Sequence, residues 1–338
     1  MRKAFVTGLE GPRLGDAERA FLADARPAGL ILFSRNCVTR DQIRTLIHDA
    51  KRAVGSDDLL VMIDQEGGRV QRLRPPLARM LPPAAAFKAH FGLDLERACR
   101  AAFLVSRLAA EDLTTFDIDT NCAPILDVPI AGAHDIIGNR AYSRDPREVI
   151  ALGHAAADGL MAGGILPVIK HMPGHGRAGH DSHLELPSVT ASLDELAQTD
   201  FAPFKALSDL PAAMTAHVLF LALDGVKPAS ISQAVTRAVI RGHIGFNGLL
   251  ISDDLSMKAL QGDMSERARQ VIAAGTDIVL HCNGLLDEMH AVARSVPALE
   301  GAALARYSKA LSVARGPRLD FDRHEAETMT QQLLTPST

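Results

Sequence analysis

Ile165-Leu166-Pro167-Val168-Ile169-Lys170-His171-Met172-Pro173-Gly174-His175-Gly176 passes from an unbroken apolar run into a cation, two histidines and a glycine-rich loop. An apolar run without polar alternation reads as a strand buried on both faces, as in a parallel sheet. The polar loop at its C-terminal end is where an α/β enzyme carries reactive groups. The loop continues to Asp181-Ser182-His183, so four of the chain's 13 histidines fall between Lys170 and His183.

Seven further runs resemble the first: Lys3–Thr7, Gly29–Phe33, Leu59–Asp64, Ile118–Cys122, Ala212–Ala216, Gly248–Ser252 and Asp277–His281. Helical patterns separate most of them. Ile43, Leu46, Ile47, Ala50 and Val54 form an i, i+3, i+4 stripe behind Thr39 and Asp41. Asp145-Pro146-Arg147-Glu148 supplies an N-cap, a first-turn proline and a capping-box acid for a helix that should stop at Gly163-Gly164. Ser192-Leu193-Asp194-Glu195 repeats the capping pattern. Eight strands alternating with helices predict an α/β fold, a single-domain (β/α)8 TIM barrel. A doubly wound open sheet is the alternative, but no Gly-x-Gly-x-x-Gly follows the first strand. The barrel is expected over residues 1–315, with a polar C-terminal tail over 316–338 lying outside it or partly disordered.

Composition narrows the functional classes. Of 338 residues, 47% are hydrophobic, ample for a core, and the net charge of −4 leaves no basic footprint for nucleic acid or an anionic membrane. Cys37, Cys99, Cys122 and Cys282 form no Cys-x-x-Cys pair and read as reduced thiols. Neither a signal peptide nor a run of about 18 apolar residues is found, so a soluble, cytoplasmic protein is expected.

Polar residues gather where the strands end: Asp64 to Arg72, Asp127, Lys170 with His171, His217, and Ser252-Asp253-Asp254. Singly, each has a plain reading. A strand-end aspartate is often a helix cap, His217 a satisfied semi-buried histidine, and Arg69 and Arg74 solvated surface charges. Together they place several ionisable groups on one rim, where burial without partners would be costly.

Four segments then resemble glycoside hydrolase family 3, and within it the short bacterial β-N-acetylhexosaminidases. They are Asp64-Gln65-Glu66-Gly67-Gly68-Arg69 with Arg72; Ile137-Gly138-Asn139-Arg140; Lys170 to Gly176 with Asp181-Ser182-His183; and Ser252-Asp253-Asp254-Leu255-Ser256-Met257. They stand in the family's order, between about Gly29 and Asn283. The resemblance implies that Asp253 is the nucleophile, His183 the general acid/base and Asp181 its partner. It further implies that Asp64, Arg72, Arg140, Lys170 and His171 bind the terminal sugar. Met172 stands where an aromatic residue is usual, Asn139 where an acid is common, and Arg177 to His180 is an individual version of the loop.

The implied chemistry is a retaining double displacement through a glycosyl-aspartate, with neither metal nor organic cofactor. A histidine with an ordinary pKa near ~6.5 can both give and take the proton. The implied substrate is a small N-acetylglucosamine-containing saccharide or muropeptide from peptidoglycan recycling, and a monomer is expected. Three alternatives remain. His171, His175 and His183 resemble loose metal-ligand spacing, although Pro173-Gly174 disfavours the helix such a pair needs. Substrate-assisted attack by the sugar's acetamide would use the Asp253-Asp254 pair. A non-catalytic sugar-binding barrel would need the gripping residues but neither Asp253 nor the loop.

Overall fold

All eight expected strands form and close into one barrel. The computed structural model describes residues 1–182 and 184–335. Its barrel strands are β1 (Lys3–Gly8), β2 (Pro27–Leu32), β3 (Leu60–Ile63), β4 (Thr120–Asn121), β5 (Leu166–Met172), β6 (Ala212–Thr215), β7 (Leu249–Asp254) and β8 (Ile278–His281). Every neighbouring pair is parallel, and β1 pairs with β8 to close the ring. Most strand residues are buried, as expected when helices cover the outer face.

The expected helices carry the expected ends. Thr39 accepts from the Gln42 amide to start the helix Arg40–Val54, Gly55 ends it at φ +71°, and Ile43, Leu46, Ile47, Ala50 and Val54 are buried. Asp145 caps Pro146–Ala162 through the Arg147 amide, but Glu148 closes no capping box and instead accepts from Ser143 and Lys88. That helix packs on Leu95–Thr114 so closely that a Cβ on Gly159 would sit 2.2 Å from the Phe103 carbonyl oxygen.

The segment after Gly316, expected to be a polar tail, contains the helix Arg323–Leu334. Its buried Ala326, Met329 and Leu333 join the apolar cluster around Leu104, Val105 and Leu108, so the expectation of disorder is corrected over that helix. Three apolar residues spaced three and four apart, Ala326, Met329 and Leu333, are the missed signal. Among the described residues, no helix is long and apolar enough to cross a membrane.

Two strands slip register by one residue near their C-terminal ends. Between β5 and β6, Ile169 faces Ala213 but Met172 faces Thr215. Between β7 and β8, Ile251 faces Ile278 but Asp254 faces Leu280. Such an extra residue bends the strand and re-aims its side chains. Both slips bracket residues singled out above: Lys170 and His171, and Asp253.

At the opposite, N-terminal end, Asp119 joins β3 to β4, accepting from the Val61 amide at 2.8 Å and the Thr120 hydroxyl at 2.9 Å. Burial pushes its carboxyl up to about 6. The folded protein therefore holds a proton there that the unfolded chain releases near pH 4, and stability falls as pH rises from about 4 through about 6. Asp119→Asn should gain about 2 kcal/mol at pH 8, with the gain vanishing towards pH 4. Urea unfolding at both pH values checks this, and a pH-independent difference would contradict it.

Candidate functional site

The C-terminal ends of the strands surround a cavity of about 390 Å³. Its wall begins at the end of β3, where the chain turns straight into a short hairpin, Gln65–Gly67 against Val70–Gln71. Asn121 of β4 grips this turn, accepting from the Gln65 amide and donating to its carbonyl, both at 3.0 Å. Gln65 Oε1 accepts from the amides of Arg72 and Leu73, and this fixes where Arg72 leaves the hairpin.

Asp64, Arg72, Arg140, Lys170 and His171 all line that cavity. The Lys170 ammonium is buried and lies 2.9 Å from Asp64 Oδ1 and 2.7 Å from Glu66 Oε1. Arg72 donates to Asp64 Oδ2 at 2.8 Å and stacks on Phe33 at 5.0 Å. Arg140 makes a two-pronged pair with Glu66, both bonds 2.9 Å. Burial opposes charge on each group, but the pairing wins. The carboxyls of Asp64 and Glu66 are held below their ordinary range, and Lys170 and Arg140 above theirs.

Glu66 belongs to this network although no role was assigned to it from sequence. The signal was its place two residues after Asp64, which puts both carboxylates on one side of an extended chain. Asp127 was noted only as a strand-end acid. It is fully buried, accepts from His171 Nδ1–H at 2.7 Å, and accepts from the amides of His171 and His175 at 3.2 and 2.7 Å. His171 thus has a fixed tautomer, with Nε2 left for the cavity.

Asp253 and Asp254 both line the cavity, but their surroundings separate them. Asp254 is occupied: it accepts from the Ser256 and Cys282 amides, each at 3.0 Å, and from the Ser256 hydroxyl. Asp253 accepts from the Asp254 amide at 2.8 Å. Burial raises its carboxyl, yet His217, His171, the Asp254 amide and Lys170 together hold it below the ordinary range. Burial also pushes His217 itself down. His217 itself is fully buried, accepting from Ser230 at 2.6 Å and donating to the Asp254 carbonyl at 3.1 Å.

Arg69 is not the free surface charge expected of it. It binds Asp135 Oδ2 at 3.0 Å and the Ile136 carbonyl at 2.8 Å, stapling the turn before Arg140 to the hairpin. Met172, the departure from the usual aromatic residue, is buried in the outer apolar cluster, so the substitution changes packing behind the strand. Asp181 starts a turn, its carbonyl accepting from the amides of Leu184 and Glu185 at 2.9 and 3.1 Å. His183 lies outside the described residues. The rings of His171 and His175 are 5.6 Å apart, each turned to its own partner. Among the described residues, no three His, Cys, Asp or Glu side chains are grouped to hold a metal ion.

Comparison with known proteins accords with this geometry. Residues 5–312 match the Glycosyl hydrolase family 3 N terminal domain. A β-hexosaminidase of Methylococcus capsulatus is 40% identical over 279 residues, 81% of each chain. The crystal structure of NagZ from Neisseria gonorrhoeae in complex with N-trifluoroacetyl-D-glucosamine superposes with a TM-score of 0.88 at 33% identity, covering 99% of this chain and 98% of that one. A glycoside hydrolase family 3 β-N-acetylglucosaminidase from Paenibacillus sp. gives a TM-score of 0.85 at 27% identity; the match covers 98% of this chain and 66% of that longer one.

Removing one partner from a buried charge network leaves the others uncompensated. Glu66→Gln should therefore cost about 3 kcal/mol in urea unfolding at neutral pH. It should also lower kcat/KM on an aryl N-acetyl-β-glucosaminide by at least about tenfold, because Lys170 and Arg140 lose their alignment. Unchanged stability would argue against the network.

Proposed function

The chain belongs to glycosyl hydrolase family 3 and is a β-N-acetylhexosaminidase, and from that membership we propose that it releases non-reducing terminal N-acetylglucosamine with retention at the anomeric carbon. The observation that carries this reading is the ionised Asp253 on the inner wall of a cavity of about 390 Å³, beside an adjacent carboxylate already occupied by backbone amides. A pocket of this size is small for a ligand site and suits one terminal sugar, hence exo action.

In this mechanism Asp64, Arg72, Arg140, Lys170 and His171 hold the sugar's hydroxyl groups. Asp253 attacks the anomeric carbon while His183, oriented by Asp181, protonates the departing oxygen. The covalent glycosyl-aspartate is then hydrolysed by water that gives a proton back to His183. A histidine replaces the usual second carboxylate, and its partner aspartate stabilises the imidazolium as in a serine-protease dyad.

The physiological substrate we assign is a peptidoglycan fragment carrying N-acetylglucosamine on 1,6-anhydro-N-acetylmuramic acid, with or without peptide. The setting is cytoplasmic wall recycling. The four free cysteines support that setting.

A fluorinated slow substrate should leave a covalent adduct on Asp253, read by peptide mass spectrometry. A label on another residue would move the nucleophile there, and no label at all would favour attack by the substrate's acetamide; either overturns the assignment. His183→Ala should lose activity steeply on glycosides with poor leaving groups and little on activated ones. Equal losses would remove the acid role.

A further inference from the structure

The segment after Gly176 is anchored near its start, where the Ala178 carbonyl also accepts from the His134 amide at 3.0 Å, and again at Ser182. At its start, Arg177 donates to Asp200 at 2.6 Å and Thr199 at 2.9 Å, and pairs with Glu195 at 2.7 Å. Beyond it the chain turns outward, and Gly179, His180, Leu184 and Glu185 are exposed. Ser182 points the other way. It is 2% exposed, the one buried residue among those described from 179 to 186.

The Ser182 hydroxyl lies 3.0 Å from His175 Nε2. His175 is held from behind by Asp127, which accepts its backbone amide at 2.7 Å and also orients His171. The other ring nitrogen, Nδ1, is buried and has no hydrogen-bond partner among the described residues. A buried N–H without an acceptor is a rarer and costlier orphan than a lone pair. The proton therefore sits on Nε2, and His175 donates to Ser182. Burial and the neighbouring His171 push His175 down to about 4, so the ring stays neutral and keeps this tautomer near pH 7.

We propose that the His175–Ser182 hydrogen bond is the latch that sets the acid/base segment against the barrel, with His175 as a positioning residue for the reaction. Ser182 stands between Asp181 and His183 in the chain, so fixing it constrains the backbone that carries both. The inference rests on the dyad reading given above. The latch runs from the buried turn that follows β5 to a segment whose other described residues from 179 to 186 are exposed or half-buried, the arrangement by which a loop completes a site without being part of the core.

The test is leaving-group dependence, which a general loss of structure would not change selectively. Ser182→Ala should lower kcat on phenyl N-acetyl-β-glucosaminide by about tenfold and on the 2,4-dinitrophenyl glycoside by less than about twofold, with KM nearly constant. Ser182→Thr keeps the hydroxyl and should restore most of the loss. His175→Leu should repeat the pattern, and the double variant should be no worse than His175→Leu alone. Ser182→Ala removes a single loop hydroxyl and decides the question even where His175→Leu does not fold. Equal losses on both glycosides, or wild-type behaviour of Ser182→Ala, would overturn the latch. If His183→Ala in the same panel shows the split while Ser182→Ala does not, the latch alone fails; if His183→Ala lacks it, the dyad reading falls and the latch with it.

Discussion

A buried ammonium is the constraint on which the rest of the site depends. Lys170 is 3% exposed at the end of β5, and an unpaired charge there would cost several kcal/mol. It is offset by Asp64 and Glu66, which arrive from the end of β3 and the hairpin behind it. Those carboxylates in turn require Arg72 and Arg140. Three separate stretches of chain, around residues 64–72, 140 and 170, must therefore reach their places together, and none can be displaced without stranding a charge. The pocket is preorganised because its charges leave it no cheaper arrangement.

The register slips explain how a regular barrel accommodates this. In an ideal strand consecutive side chains point to opposite faces, so Lys170 and His171 could not both line the cavity, nor Asp253 and Asp254. One extra residue in β5 and one in β7 relax that rule. The ladder is repaired by side chains at the second slip: Ser252 Oγ accepts the Leu280 amide and Asp254 Oδ1 the Cys282 amide, both at 3.0 Å. Asp254 serves the backbone, and that service leaves Asp253 to face the cavity.

The barrel was legible in the sequence because each strand is a short apolar run between capped helices, a pattern set by local residues. Even β4, only Thr120–Asn121 in the structure, announced itself through its apolar flanks. What sequence reading missed depends on partners distant in the chain. Glu66 matters through Arg140 and Lys170, Asp127 through two histidines more than 40 residues away, and Arg69 through carbonyls near residue 136. Carboxylates and arginines at a rim look alike until closure decides which of them meet.

The site divides its electrostatics between a fixed part and a variable one. Pairing keeps Asp64 and Glu66 ionised and Lys170 and Arg140 charged, and Asp253 is held below the ordinary carboxylate range. Burial keeps His175 and His217 neutral by pushing both down. None of these groups changes charge near pH 7, so the salt-bridged network and Asp253 present a constant field to the cavity there. Proton transfer to a leaving oxygen needs a group that does exchange protons at that pH. In the proposed mechanism that group is His183, in the segment after Gly176 rather than in the salt-bridged network. A latch of neutral atoms, Nε2–H to a hydroxyl, then holds the loop without adding a charge that would shift the proton it carries.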